Sequence, residues 1–91
     1  MRFTWDPTKA RSNLRKHGVT FVEAITTFAD PLAFILDDGA DAGRLIIVGE
    51  SVNARLLVTV YVEVDPVGDT LRVISARRAT RHERRRYENQ S

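Results

Sequence analysis

Arg55-Leu56-Leu57-Val58-Thr59-Val60-Tyr61-Val62-Glu63-Val64, then Asp65-Pro66-Val67-Gly68-Asp69, then Thr70-Leu71-Arg72-Val73-Ile74-Ser75-Ala76-Arg77, is the stretch on which the architecture turns. Two runs rich in β-branched residues flank a segment with Pro and Gly, the pattern of a β-hairpin. Side chains alternate across a strand, so Leu56, Val58, Val60, Val62 and Val64 share one side, and all are apolar. Arg55, Leu57, Thr59, Tyr61 and Glu63 share the other, which is mixed. Symmetric closure about Val67 would set Val64 opposite Thr70, Tyr61 opposite Val73, Thr59 opposite Ser75 and Leu57 opposite Arg77. In that register the apolar side continues through Ile74 and Ala76 and is expected to seat helices. The opposite side would gather Arg55, Thr59, Tyr61, Glu63, Ser75 and Arg77, with Arg78 at the rim, as an open polar face.

Upstream, the hydrophobic period predicts three more strands and two helices. Phe3-Thr4-Trp5 is a short β-favouring stretch ending at Asp6-Pro7, where Asp suits a helix N-cap and Pro the first helical position. The helix is expected from Pro7 to about Lys16, with Gly18 in the left-handed conformation just past its end. Its apolar face, Ala10 and Leu14 with His17, is thin, and Lys9, Arg11, Arg15 and Lys16 make it basic. Thr20-Phe21-Val22-Glu23 has capping-box spacing and starts a second helix whose stripe is Phe21, Ala24, Ile25 and Phe28, ending before Asp30-Pro31. Leu32 to Leu36 and Arg44 to Gly49 read as strands, separated by the polar run from Asp37 to Gly43. Downstream, Thr80-Arg81-His82-Glu83 repeats the capping-box spacing and opens a short basic helix that frays by Asn89. The order is β, α, α, four strands, then a helix: a single α+β domain over residues 1–91, with two helices packed on one face of a mainly antiparallel sheet.

At 43% hydrophobic and 29% charged residues the chain is too apolar for a disordered tail and too interrupted by charge for a membrane span. It has no cysteine, hence no disulfide, thiolate metal site or cysteine nucleophile. Met1 to Asp6 lacks the apolar run of a secretory signal, so a cytoplasmic protein is expected. The formal charge of +2 hides a strong segregation. Residues 1–18 sum to +4, residues 19–71 to −7 and residues 72–91, with seven arginines, to +5. Basic ends around an acidic middle point to an anionic partner for the ends. A domain this small also gains from a partner subunit that covers apolar surface.

Trp5-Asp6-Pro7, Lys9-Ala10, Asn13-Leu14, Lys16-His17-Gly18-Val19, Phe21, Glu23-Ala24, Phe28-Ala29-Asp30-Pro31-Leu32, Arg55-Leu56-Leu57-Val58, Ile74-Ser75-Ala76-Arg77-Arg78-Ala79-Thr80, Glu83-Arg84 and Tyr87 occur in an order that resembles the BrnT family. The resemblance spans nearly the whole chain and leaves out the loop Asp37 to Gly43. It implies a RelE-like fold and a bacterial type II toxin, a ribonuclease that blocks translation. It also implies a BrnA antitoxin with a ribbon-helix-helix DNA-binding domain, a higher-order complex with that antitoxin, and contact with DNA only through it.

Metal-independent RNA cleavage needs a base for the ribose 2′-hydroxyl, cations on the phosphorane-like transition state and an acid for the leaving oxygen. Arg suits the second task because its fork of donors matches phosphate oxygens. The candidate catalytic residues are therefore Arg77, Arg55 and Arg78, with His17 for proton transfer and Glu63 as an acid or base partner. The plainer alternatives are strand-end arginines solvating an edge or bridging to Glu63, and a half-buried structural His. Candidate RNA contacts are Lys16, Tyr61 and, in the last helix, Arg81, Arg84 and Arg85; Arg86 adds to the same charge, and His82 is expected to be passive. Asp37, Asp38 and Asp41 lack the spacing and following Glu of a calcium loop and are expected to be a solvated turn, so no metal or other cofactor is expected. A second reading keeps the basic ends but drops catalysis: a module that binds RNA, a ribosome or DNA, with the acidic middle holding a protein partner.

Overall fold

The chain runs β1 (Arg2–Thr4), α1 (Pro7–His17), α2 (Phe21–Ile25) continued by a 3-10 turn (Thr26–Ala29), β2 (Phe34–Asp37), β3 (Arg44–Glu50), β4 (Leu56–Glu63), β5 (Thr70–Arg78) and α3 (Arg81–Glu88). These elements come from a computed structural model that describes residues 1–39 and 43–90. The five strands form one sheet in the order β1-β5-β4-β3-β2. Four of them pair antiparallel as successive neighbours, and β1 lies parallel to β5 over Arg2 to Thr4. The fold is α+β, as the sequence pattern predicts.

The helix boundaries follow from their caps. Asp6 accepts from the Thr8 backbone N–H at the start of α1, and Gly18, at φ 68°, ends it by donating to the Leu14 carbonyl. Thr20 accepts from the Glu23 N–H at 3.1 Å. The expected reciprocal bond is absent among the described residues, because the Glu23 side chain turns away to Ser51 and Arg55. At Thr80 the box is complete: Glu83 also accepts from the Thr80 N–H at 2.8 Å.

The expected faces of the sheet are reversed. Tyr61 does stand opposite Val73, but a bulge at Val60/Tyr61 then shifts the register, so Val60 faces Ser75, Thr59 faces Ala76, Val58 faces Arg77 and Leu57 faces Arg78. The face carrying Leu57, Val73 and Ala76 packs against α1 and α2, with Val19, Phe21 and Ala24. Tyr61, Ile47 and Leu71 continue it, and Phe28 meets Tyr61 edge-to-face at 5.0 Å. Leu56, Val58 and Val48 lie on the other face beside Phe34, Ile46, Ala79 and Tyr87, beneath α3. The uniformly apolar alternation of β4 misled because both faces of the sheet are covered, so apolarity does not mark the side of the first two helices. Gly49 permits the 3-10 turn to sit on β3: a Cβ there would fall 2.9 Å from that of Ala33 and 3.1 Å from the Thr27 carbonyl.

Beyond Arg72 the outer edge of β5 loses its strand partner, and a side chain replaces it. Asn13, 6% exposed on α1, donates to the carbonyls of Ala76 and Val19 at 2.8 and 2.9 Å and accepts from the Ala76 N–H at 3.0 Å. A primary amide offers the donor and acceptor that a neighbouring peptide would have offered. One buried side-chain polar atom has no partner among the described residues, the Thr59 hydroxyl. Thr59→Val is nearly isosteric and removes that unmet group, so it is expected to stabilise the fold by about 1 kcal/mol, read as a raised denaturant midpoint with an unchanged slope. A lowered midpoint would show that the hydroxyl finds a partner in solution.

Candidate active site

The arginines proposed to share one open face lie on opposite sides of the sheet, and each is held by its own carboxylate. Arg77, on the α3 side, forms a two-point pair with Glu83: Nη1 and Nη2 donate to Oε1 and Oε2, both at 2.8 Å. The bonds from Arg77 hold the Glu83 carboxyl at a pKa of about 2, against the desolvation that would raise it. Arg55, on the α1 and α2 side, donates through Nε and Nη2 to Glu23 and through Nη2 to the Gly18 carbonyl. Glu23 is only 7% exposed, accepts also from the Ser51 hydroxyl at 2.7 Å, and is likewise held at about 2, chiefly by Arg55. This second pair ties the α1–α2 loop to the β3–β4 turn.

Two further candidates leave the site altogether. Tyr61 is 3% exposed in the core, where burial pushes its hydroxyl pKa up, so it offers RNA no surface. Glu63 is exposed at the hairpin end of β4. It lies five positions beyond Val58, the partner of Arg77, which is roughly 17 Å along an extended strand. Strand length separates Glu63 from Arg77, as the expected pairing of Leu57 with Arg77 already implies, and burial takes Tyr61 out of reach.

His17 and Lys16 do meet a cleft. With Lys9, Ser12 and Asn13 of α1 and with Ile74 and Ser75 of β5 they line a groove of about 210 Å³. Ser75 and Arg77 lie on the same side of β5, two residues or roughly 7 Å apart. The groove of α1 and the α3 face therefore adjoin across the outer edge of β5.

The terminal helix has no buried residue. Polar contacts hold it: the Arg77–Glu83 pair, the Tyr87 hydroxyl donating to Asp30 at 2.6 Å, and Arg86 over the Phe34 ring at 5.2 Å. Burial and the Asp30 carboxylate push the Tyr87 pKa up to about 12. Beneath the helix is a pocket of about 200 Å³ with an apolar floor that includes Phe34, Ile46, Val48 and Val58 and a rim of Arg77, His82, Glu83 and Arg86. Arg78, Arg81, Arg84 and Arg85 are exposed and form no ion pair among the described residues. Arg81, Arg84 and Arg85 extend the positive charge along α3, whereas Arg78, opposite Leu57, projects from the other side of β5 and not from the Arg77 face. No cluster of three or more His, Asp or Glu with metal-binding geometry occurs among the described residues. Asp37 and Asp38 are described, whereas Asp41 lies outside the described residues.

The family model of BrnT, the ribonuclease toxin of type II toxin-antitoxin systems, matches residues 5–83. The chain belongs to the BrnT family. A crystal structure of the Brucella abortus ribonuclease toxin BrnT has the same fold, with a TM-score of 0.72 and 26% identity, over 89% of this chain and 99% of that one. A comparison with curated proteins gave no match. In this BrnT toxin the residues that sequence reasoning missed are the partners, Glu23, Glu83 and Asn13. Both glutamates stand out in the sequence as capping-box spacings and within the family resemblance, but neither signal shows that their carboxylates reach an arginine. A lone Asn on a basic helix carries no local signal.

Glu23→Gln in this BrnT fold keeps the shape and removes the charge facing Arg55, and is expected to lower stability by about 2 kcal/mol at neutral pH. The folded pKa lies below the usual carboxylate value, so its contribution is full above about pH 4.5 and disappears as pH falls toward 2. Thermal melts from pH 7 to pH 2 should therefore bring variant and parent together in acid. A gap that stays constant across that range would show that the pair is not what the substitution disrupts.

Proposed function

We propose that this toxin is a metal-independent endoribonuclease of the cytoplasm that blocks translation by cutting RNA laid across the outer edge of β5. Family membership carries the ribonuclease reading. The cations and the histidine that flank the edge support the roles given to them here. The 2′-hydroxyl oxygen attacks the adjacent phosphorus, the bond to the 5′-oxygen breaks, and the products are a 2′,3′-cyclic phosphate and a 5′-hydroxyl end. His17 takes the proton of the attacking hydroxyl, and a protonated group returns one to the leaving oxygen. Arg77 stabilises the charge that builds on the phosphorane oxygens, where preorganised donors act most strongly, and Arg78, on the other side of β5, adds positive charge at the edge. Lys16 and Lys9 hold a neighbouring phosphate in the α1 groove, and Arg81, Arg84 and Arg85 track the strand on the other side. Arg55 acts through geometry, fixing Gly18 and with it the end of α1 that bears His17. The partner is a BrnA-like antitoxin with a ribbon-helix-helix domain, which supplies any DNA contact within a higher-order complex.

The purified protein incubated with RNA in EDTA should yield 2′,3′-cyclic phosphate ends. RNA that stays intact while gel shifts report binding would replace the enzyme with a non-catalytic RNA-binding module, and cleavage abolished by EDTA would overturn metal independence.

A further inference from the structure

The two arginine–carboxylate pairs differ in which edge of the guanidinium they use. Arginine has five N–H donors in a rigid plane, arranged so that Nε and Nη2 form one two-point edge and Nη1 and Nη2 form another. Arg55 spends its Nε/Nη2 edge on Glu23 and gives the second Nη2 donor to Gly18. Only Nη1 is left, so Arg55 has no parallel pair of donors to offer. Arg77 is engaged at the other edge: Nη1 and Nη2 meet Glu83, and Nη1 also donates to the Arg78 carbonyl at 3.3 Å. Its Nε–H and the outer Nη2–H have no partner among the described residues. The side chain is 42% exposed, so that edge is open to a ligand.

Glu83 is itself anchored. Its Oε1 accepts from the Thr80 N–H and its backbone N–H donates to Thr80 Oγ1, so the carboxylate is fixed to the first turn of α3. A carboxylate fixed in this way holds the guanidinium plane against rotation about its long side chain. That removes much of the ordering cost a ligand would otherwise bear.

We infer that Glu83 is a positioning residue that presents the unfilled Nε/Nη2 edge of Arg77 to one phosphodiester group of a nucleic-acid strand, two oxygens on two donors, while Arg55 takes no phosphate. The inference deepens the proposed function by assigning the phosphate contact to one edge of one arginine. It concerns binding, and so it stands or falls separately from cleavage. A bidentate phosphate fits that edge without breaking the Glu83 pair, which stays in place with ligand bound.

The test is a titration of the protein with an all-2′-deoxy oligonucleotide, which 2′-hydroxyl attack cannot cut, followed by NMR of the arginine Nε–H groups. The Arg77 Nε–H signal should shift with the binding curve and the Arg55 Nε–H signal should not. Glu83→Gln should weaken binding by about 3- to 10-fold and broaden or abolish the Arg77 shift, and Arg77→Lys, which keeps the charge but lacks the edge, should do the same. A stationary Arg77 signal, an Arg55 signal that moves with it, unchanged affinity and spectra in Glu83→Gln, or no binding by the parent protein would each overturn the inference. Wild-type protein that shifts at Arg77 yet leaves RNA uncut would instead sink the ribonuclease reading alone.

Discussion

Arg77→Ala is expected to lower the rate of RNA cleavage by about 10²- to 10³-fold, the usual loss when one preorganised donor is removed from a developing oxyanion. The size follows from how the side chain is held. Glu83 fixes the guanidinium from behind at 2.8 Å on two bonds, so its donors need no reorganisation when charge builds on phosphorus. The fold should tolerate the change. The pair is partly exposed, and pairs of that kind contribute roughly 1 kcal/mol or less. The decisive comparison is the initial cleavage rate of Arg77→Ala against the parent, with melting curves to show that both are folded. Expression of the variant without an antitoxin should also relieve growth arrest. A folded Arg77→Ala protein that cuts at the parental rate would remove β5 from the catalytic site.

Asn13→Ala is expected to have the largest effect on stability of the substitutions considered, about 3–4 kcal/mol. The amide serves three backbone groups at once: the carbonyls of Val19 and Ala76 and the Ala76 N–H. Each buried group left unmet costs about 1–3 kcal/mol, and water can reach some of them after truncation. For a chain of this length the loss corresponds to a fall of more than about 12 °C in Tm. Asn13→Asp separates the donors from the acceptor, since it keeps an oxygen for the Ala76 N–H but sets a carboxylate against two carbonyls. It should be at least as destabilising as the alanine at neutral pH and recover partly in acid. Equal melting of Asn13→Ala and the parent would mean that α1, not its amide, protects the edge.

The elements and their order were legible because each has a local cause. Pro7, Gly18, Thr20, Thr80 and the Pro66–Gly68 turn set boundaries through caps and backbone preference, and all appear where those rules put them. The parallel pairing of β1 with β5 was not legible, since it joins segments that share no local signal. The faces were not legible for a different reason. β4 is apolar at nearly every position, and periodicity identifies a buried side only when the other side is polar. Of the candidate site, the charge pattern and the resemblance single out the arginines near the end of β5, and the structure sets Arg77 beside α3. Its separation from Arg55 depends on register and the loss of Tyr61 on burial, which no spacing encodes, whereas its distance from Glu63 follows from the length of β4.

The bulge at Val60/Tyr61 also makes the dipeptide Arg77-Arg78 informative. It acts as a phase shift along β5, and two adjacent arginines occupy both phases. If the unchanged sequence paired without the bulge, with Ile74 opposite Val60, an arginine would still project on each side and the electrostatic potential at the strand end would hardly change. The residue facing Glu83 would, however, be the other one of the two, displaced along the strand relative to α3. A register closed without the bulge would thus keep the overall attraction for polyanions while losing alignment with the carboxylate. Affinity in that register would outlast turnover, whereas a one-residue deletion at Ile74 removes the bulge yet keeps Arg77 opposite Val58 and is expected to leave both properties in place.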